Sequence, residues 1–438
     1  MRCGRRLVSV AIATTCAIGA AGCADQRNAD SVRVVTVFGG LIGEDAQAFV
    51  NSLRTFERNS GIDVRYVGSS NFESDLQERV RRGDAPDLAL VPQPGLVTDL
   101  AEDGYALPYD GDLARAAGSD VDERLLDLVR VNGDLYASWY SLAPKSLVWY
   151  SPRQFAARGL QVPTTWDDLL ALTDEIAATG QAPWCIGVRD GGATGWVATD
   201  WVEDLVLRRE GPDVYDQWVA HDVPFADERI AGAVEAFGAI ALDSARVAGG
   251  NRAAVEWTVQ RAAQGLLGSK PACLLHRQAS FLPDLLGSAG DGVTIAPDGD
   301  LWVFPFPDDG PSTMLVGGTV VARFSDRPEV RELAAYLASN DAAEQRAGTA
   351  GFITPLESFD LARYPDALDR TVASWTRAAE VVKFDASDLM PAEVGVNAFW
   401  DGMTAWLSGA RLTATLGQID AAWPASLTRP TPAGGSSG

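Results

Sequence analysis

Histidine is almost missing: His221 and His276 are the only two in 438 residues. That leaves little material for a His-based triad or a histidine metal site. No G-x-S-x-G nucleophile elbow occurs. His221, in AHDVPF, reads as a surface loop residue; His276 reads as a satisfied strand-end histidine or a cleft liner. Tryptophan is absent from the first 138 residues, and all 13 lie between Trp139 and Trp423. Apart from the N-terminal leader there is no 18-residue apolar run, so nothing else is expected to span a membrane. There is no short-period repeat and no long low-complexity tract. Basic residues are outnumbered 36 to 59, for a net charge of −23. Phosphate backbones would be repelled, so nucleic acid is not expected as a partner. The plain reading of the charge is solubility outside the cell; attraction of a cationic ligand is the sharper one.

The length argues for two domains. A composition of 47% hydrophobic and 22% charged residues is that of a folded globular chain. Residues 1–22 carry the basic Arg2, Arg5 and Arg6, then an apolar stretch from Leu7 to Ala21. This is expected to be a signal peptide. Ala20-Ala21-Gly22-Cys23 resembles a lipobox, with Ala20 where leucine is commoner, and makes Cys23 the expected lipidation site. The alternative is a plain secretory signal with an incidental cysteine. Without the leader's arginines, 33 bases face 59 acids, a balance of −26. Residues 23–31 suit a short tether. Once the leader and Cys23 are set aside, Cys185 and Cys273 remain, an even pair in an oxidising compartment, expected to form one disulfide. A buried free pair is the alternative. Neither has a second Cys or His at zinc spacing, so no metal is expected.

The mature chain opens with Val32 to Phe38, a β-branched run, then Ala46, Phe49, Leu53 and Phe56 on one helical face. Ile62 to Val67 and Asp87 to Val91 read as further strands, and Ser70-Asn71-Phe72-Glu73 as a capping box. Alternating strands and helices imply a parallel, doubly wound α/β sheet. Such a sheet binds ligands beyond its strand C-termini. Ser69, Ser70, Asn71 and Gln93 fall there, short neutral groups suited to hydroxyls and equally common in turns. Residues 144–290 repeat the α/β style, with strands expected at Lys145 to Tyr150, Trp184 to Val188 and Ala272 to Leu275. Residues 356–424 read as helical, and 425–438 as a disordered Pro/Gly/Ser tail.

Indole faces stack on the C–H faces of pyranose rings. Trp139, Trp196, Trp201 and Trp400 sit near glycines or polar residues at expected element ends and are candidate contacts; Trp218, Trp257 and Trp406 are expected to be core. In ATGWVATDW, Asp200 opens a helix, where it can accept vicinal hydroxyls or simply complement the helix dipole.

Several stretches carry a family resemblance: GSSNFESDLQERVRRGDAPDLALVPQPG, APWCIGVRDGGATGWVATDWVEDLVLR, PACLLHRQASF, GFITP, KFDASDLMP and FWDGM. The chain resembles the family 1 extracellular solute-binding proteins of ABC sugar importers, the maltose-binding-like class. It is most similar there to the alpha-glucoside-binding proteins, over about residues 34–423. The resemblance implies two α/β lobes joined by a hinge, with the chain crossing between them several times. Lobe 1 is expected at 32–142 and 305–353, lobe 2 at 143–304 and 354–424. It also supports a Cys185–Cys273 link inside lobe 2. One departure stands out: Thr319 follows Gly317-Gly318 where many relatives carry an acid.

The expected function is capture of a small carbohydrate by hinge closure. Delivery would be to ABC permease subunits, by a monomeric lipoprotein needing no cofactor. The candidate contacts are Glu44, Ser70, Asn71, Gln93, Trp139, Trp196, Asp200, Trp201, Arg277, Gln278, Gly318 and Phe352. Three rivals stand beside this. A secreted glycosidase would need two carboxylates across the scissile bond. The same fold could take a non-sugar solute such as iron, a polyamine, a peptide or a glycerophosphodiester, the last using Lys145 and Arg277. A sensor lipoprotein without transport is the third.

Overall fold

The computed structural model describes residues 33–307, 309–348 and 351–424. The signal peptide, Cys23, the tether and the tail from 425 lie outside the described residues.

Among the described residues, eleven strands run in chain order: β1 (Arg33–Gly39), β2 (Ile62–Gly68), β3 (Leu88–Val91), β4 (Arg130–Val131), β5 (Asp134–Leu135), β6 (Ala137–Pro144), β7 (Leu147–Tyr150), β8 (Leu275–Arg277), β9 (Trp302–Pro305), β10 (Thr313–Arg323) and β11 (Val381–Phe384). The main sheet has the order β11-β10-β3-β1-β2, with β6 also on β10. Strands β1, β2 and β3 are parallel, as their β-branched runs between helices predict. Strand β10 enters antiparallel to β3 and β6. The second sheet is β8-β7-β9, antiparallel throughout. Strands β4 and β5 form a two-stranded ribbon.

Each sheet has its own apolar core. One is built on Val35, Val37, Leu90, Val320 and Val321; the other on Trp149, Trp184, Trp201, Val206 and Phe237. Buried apolar clusters of this kind mark separate domains, and the fold is the two-lobed one. Cys185 and Cys273, both buried in the second core, are joined by a disulfide.

Three expectations need correcting. Residues 184–188 make only isolated bridges, through Trp184, because the second lobe is mostly helical around a three-stranded sheet. Residues 356–424 are not all helical: β11 pairs with β10 over Val316↔Phe384. Its VVKF run is too short for a periodicity signal. Strand β11 therefore sits in the first sheet, and Phe359, Tyr364 and Ala373 pack in the first core, so the chain's third crossing follows Phe384. The Ser70–Glu73 capping box does not form; Ser69 Oγ instead accepts from Asn71 N at 3.0 Å and donates to Asp75 at 2.5 Å.

Candidate functional site

The crossings run from β6 to β7, from β9 to β10 and onward from β11. All three are fastened to one helix, Trp196–Glu210, whose residues 197 to 207 are buried without a break. A helix buried on every side must pair every charge it carries. Asp204 accepts from Ser146 Oγ at 2.7 Å and from Arg277 Nη2 at 2.6 Å, and is bridged by Arg208. Ser146 Oγ accepts in turn from Leu315 N at 2.7 Å, and Arg208 Nη2 donates to Thr313 O at 2.9 Å. Glu203 accepts from Ala386 N and Ser387 N, both at 3.2 Å. Lys145 Nζ donates to Asp200 at 2.9 Å and to Asp385.

The ionisation of this knot follows from its burial. Burial alone would lower Lys145, but Asp200, Asp388 and Glu203 outweigh it and hold the ammonium above its ordinary range. Burial pushes Glu203 up to about 8, with Asp200 adding to the effect and Lys145 opposing it. Burial likewise lifts Asp388 to about 7. Asp200, Glu203 and Asp385 bring oxygens within 4.8 Å of one another, and the Lys145 ammonium already bonds two of the three.

In front of the knot, a cleft of about 590 Å³ separates the lobes. The turns after β1, β2 and β3 supply Glu44, Ser70, Glu73 and Gln93, as a doubly wound sheet dictates. The middle of β6 and β10 adds Tyr140, Gly318 and Thr319. The second lobe supplies Asp190, Trp196, Phe281, Asp284, Asp388 and Trp400. Trp196 is held in place by donating Nε1 to Asp190 at 2.8 Å, and the Lys145 ammonium lies 5.6 Å from its ring centre. Gly195 precedes it at φ 117°, and a Cβ there would meet Trp400 O at 2.4 Å, so only glycine lets these two tryptophan segments close up.

Among the described residues, Tyr140 Oη and two further buried groups in the wall lack partners. Gln93 donates Nε2 to Glu73 at 2.8 Å but leaves Oε1 unbonded; Trp400 leaves Nε1 unbonded. Both residues are 5% exposed. Orphaned polar atoms of this kind cost about 1–3 kcal/mol each. A second hollow, about 440 Å³, lies between Leu125, Ile353 and Tyr215, but its Arg124 and Lys383 are paired with Asp122 and Asp216, and its lining contains none of the orphaned buried side-chain atoms found among the described residues.

The family model described as "Bacterial extracellular solute-binding protein" matches residues 40–344. The chain belongs to that family. It is 40% identical to the osmoprotective compounds-binding protein GgtB of Synechocystis sp., over 95% of this chain and 98% of that one. It is 36% identical to the alpha-glucosides-binding periplasmic protein AglE of Rhizobium meliloti, over 89% and 87%. In fold it is similar to the solute receptor AcbH, described as preferring β-D-galactopyranose, with TM-score 0.76, 16% identity, and coverage of 89% and 98%. It is also similar to maltose-bound MalE3 of T. maritima, with TM-score 0.68, 16% identity, and coverage of 89% and 98%. These are solute-binding proteins, not enzymes.

In this solute-binding protein Glu44, Ser70, Gln93, Trp196, Gly318 and Phe352 line the cleft. Asn71 is exposed beside it, its Oδ1 2.8 Å from where a Cβ on Gly192 of the other lobe would stand. The other candidates do not face the cleft. Trp139 is 1% exposed and donates Nε1 to Leu125 O at 2.8 Å; strand alternation turns it away from Tyr140, which does face the cleft. Trp201 stacks on Phe237 in the second core. Asp200 and Arg277 are consumed by the charge knot. Gln278 is buried, with Oε1 accepting from Ala279 N. His276 is also buried, its Nδ1 2.8 Å from Cys185 O, and burial lowers it to about 4. The sequence reading missed Glu73, Asp190, Phe281, Asp284 and Asp388. KFDASDLMP carried the last of these, but its acids could not be assigned to a wall before β11 was known.

Proposed function

We propose that this protein captures a small neutral carbohydrate, an α-glucoside or related oligosaccharide, and hands it to the permease subunits of an ABC importer. We further propose that it is a monomer held at the outer face of the cytoplasmic membrane by lipid on Cys23. The lipobox-like Ala20-Ala21-Gly22-Cys23 and the polar tether support the anchor. No described helix is long and apolar enough to cross a membrane.

The observation that carries the ligand reading is two of these orphans, Gln93 Oε1 from one lobe and Trp400 Nε1 from the other, on residues that line one cleft. One needs a donor and the other an acceptor. A hydroxyl group supplies either, so a polyol spanning the cleft satisfies both walls. Trp196 and Phe281 offer ring faces beside them, with centroids 6.0 Å apart. The names of GgtB and AglE point the same way, toward osmoprotectants and α-glucosides respectively. A phosphodiester fits less well, because Lys145 and Arg346, the cations of the cleft wall, are already paired with carboxylates.

A thermal-shift screen with maltose, trehalose, sucrose and related glucosides tests the reading. At a hundredfold excess over Kd, binding to the folded form alone adds about 2.7 kcal/mol and raises Tm. No shift with any member would refute the sugar reading.

A further inference from the structure

The cleft wall carries far more negative than positive charge. Its two cations are neutralised in place: Lys145 bonds Asp200 and Asp385, and Arg346 is bridged to Asp45. That leaves Glu44, Glu73, Asp190, Asp284 and Asp388 on the wall with no ion pair to a cation among the described residues. The two lobes present these acids to each other. Besides its burial, Asp284 of the second lobe feels Asp45 and Glu44 of the first, with Arg346 opposing them; Glu73, from the first, feels Asp190 of the second beside its own burial.

We propose that these carboxylates make the site a charge filter, which accepts solutes rich in hydroxyl donors and excludes any that bear a carboxylate or phosphate. The reading rests on the cleft being the solute site. Besides the charge, the unbonded Gln93 Oε1 is a 95%-buried acceptor beside Glu73, and a hydroxyl hydrogen fills it where an anion oxygen cannot. Burial and the facing acids already push Glu73 and Asp388 above the usual carboxylate range, which shows how poorly this wall tolerates added negative charge. Asp284 is the clearest selector. It is exposed on the cleft wall, its carboxylate makes no hydrogen bond among the described residues, and its Oδ2 lies 3.0 Å from where a Cβ on Gly351 of the opposite lobe would be.

The test compares two analogues of whichever neutral disaccharide binds. One has a single hydroxymethyl oxidised to the uronate; the other is the isosteric, neutral uronamide. Calorimetric titration of the whole protein at neutral pH should find the uronate weaker than the uronamide by roughly a hundredfold, the effect expected of fixed like charges at close range in a partly desolvated site. The gap should narrow to about tenfold or less in Glu44→Gln/Asp284→Asn, as expected when two of the repelling charges are removed. The ratio of the two ligands is the readout, so a general loss of affinity in the variant does not disturb it. Equal binding of uronate and uronamide, or a gap unmoved by the double variant, would overturn the filter. If no neutral disaccharide binds at all, the carbohydrate reading falls, and the filter with it.

Discussion

Replacing Trp400 by phenylalanine isolates one hydrogen bond. Trp400 is 5% exposed and packs with Trp196, Ala392 and Val396 at the floor of the cleft, with Nε1 unbonded. The substitution trims buried apolar area, at a cost of about 1 kcal/mol. It also removes a buried donor with no partner, which returns about 1–3 kcal/mol. The ligand-free protein should therefore melt within roughly 2 °C of the parent, or slightly above it. With ligand the sign reverses. The bond from Nε1 to a hydroxyl oxygen is lost, and at about 1.4 kcal/mol that weakens Kd about tenfold. Calorimetry for Kd and scanning calorimetry for Tm read the two effects separately. If Kd stays within about twofold while Tm falls by several degrees, Trp400 is only packing, and the use of orphaned groups to locate the ligand is wrong.

Four further outcomes are expected. Trp196→Ala should cost affinity far more than stability, whereas Trp201→Ala, buried against Phe237 and Trp184, should cost about 3–5 kcal/mol of stability by chemical denaturation; equal behaviour of the two would contradict their placement. Lys145→Met leaves Asp200 and Asp385 without their shared cation and should destabilise by about 3–5 kcal/mol in the same assay. Breaking the Cys185–Cys273 bond, which spans 88 residues, should cost on the order of 4 kcal/mol, read as a fall in the urea midpoint of the double serine variant. Stability should peak on the mildly acidic side of neutrality. Glu203 and Asp388 are raised on folding, so their contribution is complete below the unfolded carboxyl range and is lost as pH rises through about 8 and about 7. His276 is depressed to about 4, so its contribution is complete above the unfolded value and is lost as pH falls toward 4. A Tm that climbs steadily between pH 7 and 9 would contradict the first part, and Glu203→Gln should flatten that limb.

The fold was legible where local signals are strong. The runs VRVVTVF and IDVRYV, each followed by a helical face, specify β1 and β2 and their parallel pairing. Those signals also place Ser70, Glu44 and Gln93 at strand ends, hence on the cleft. Long-range pairing was not legible. Strand β11 has four residues and gains its partner from β10, about seventy positions earlier in sequence. The burial of Asp200 was hidden for the same reason. ATDWVEDLVLR shows acids at helical spacing, and nothing local says that Lys145, Arg277 and three crossing segments converge on them. Tryptophan candidates chosen by nearby glycines or polar residues divided evenly. Glycine does mark close approach at Gly195, but at Trp139 the pleat of the strand decides which way the ring turns.

Hydrogen–deuterium exchange with and without a binding glucoside tests the clamp most directly, because local opening is read segment by segment. Ligand should slow exchange together in 69–75 and 92–97 of one lobe and in 190–198 and 386–400 of the other. Protection confined to one lobe, or spread over the cores with the cleft segments unchanged, would contradict capture between two closing halves.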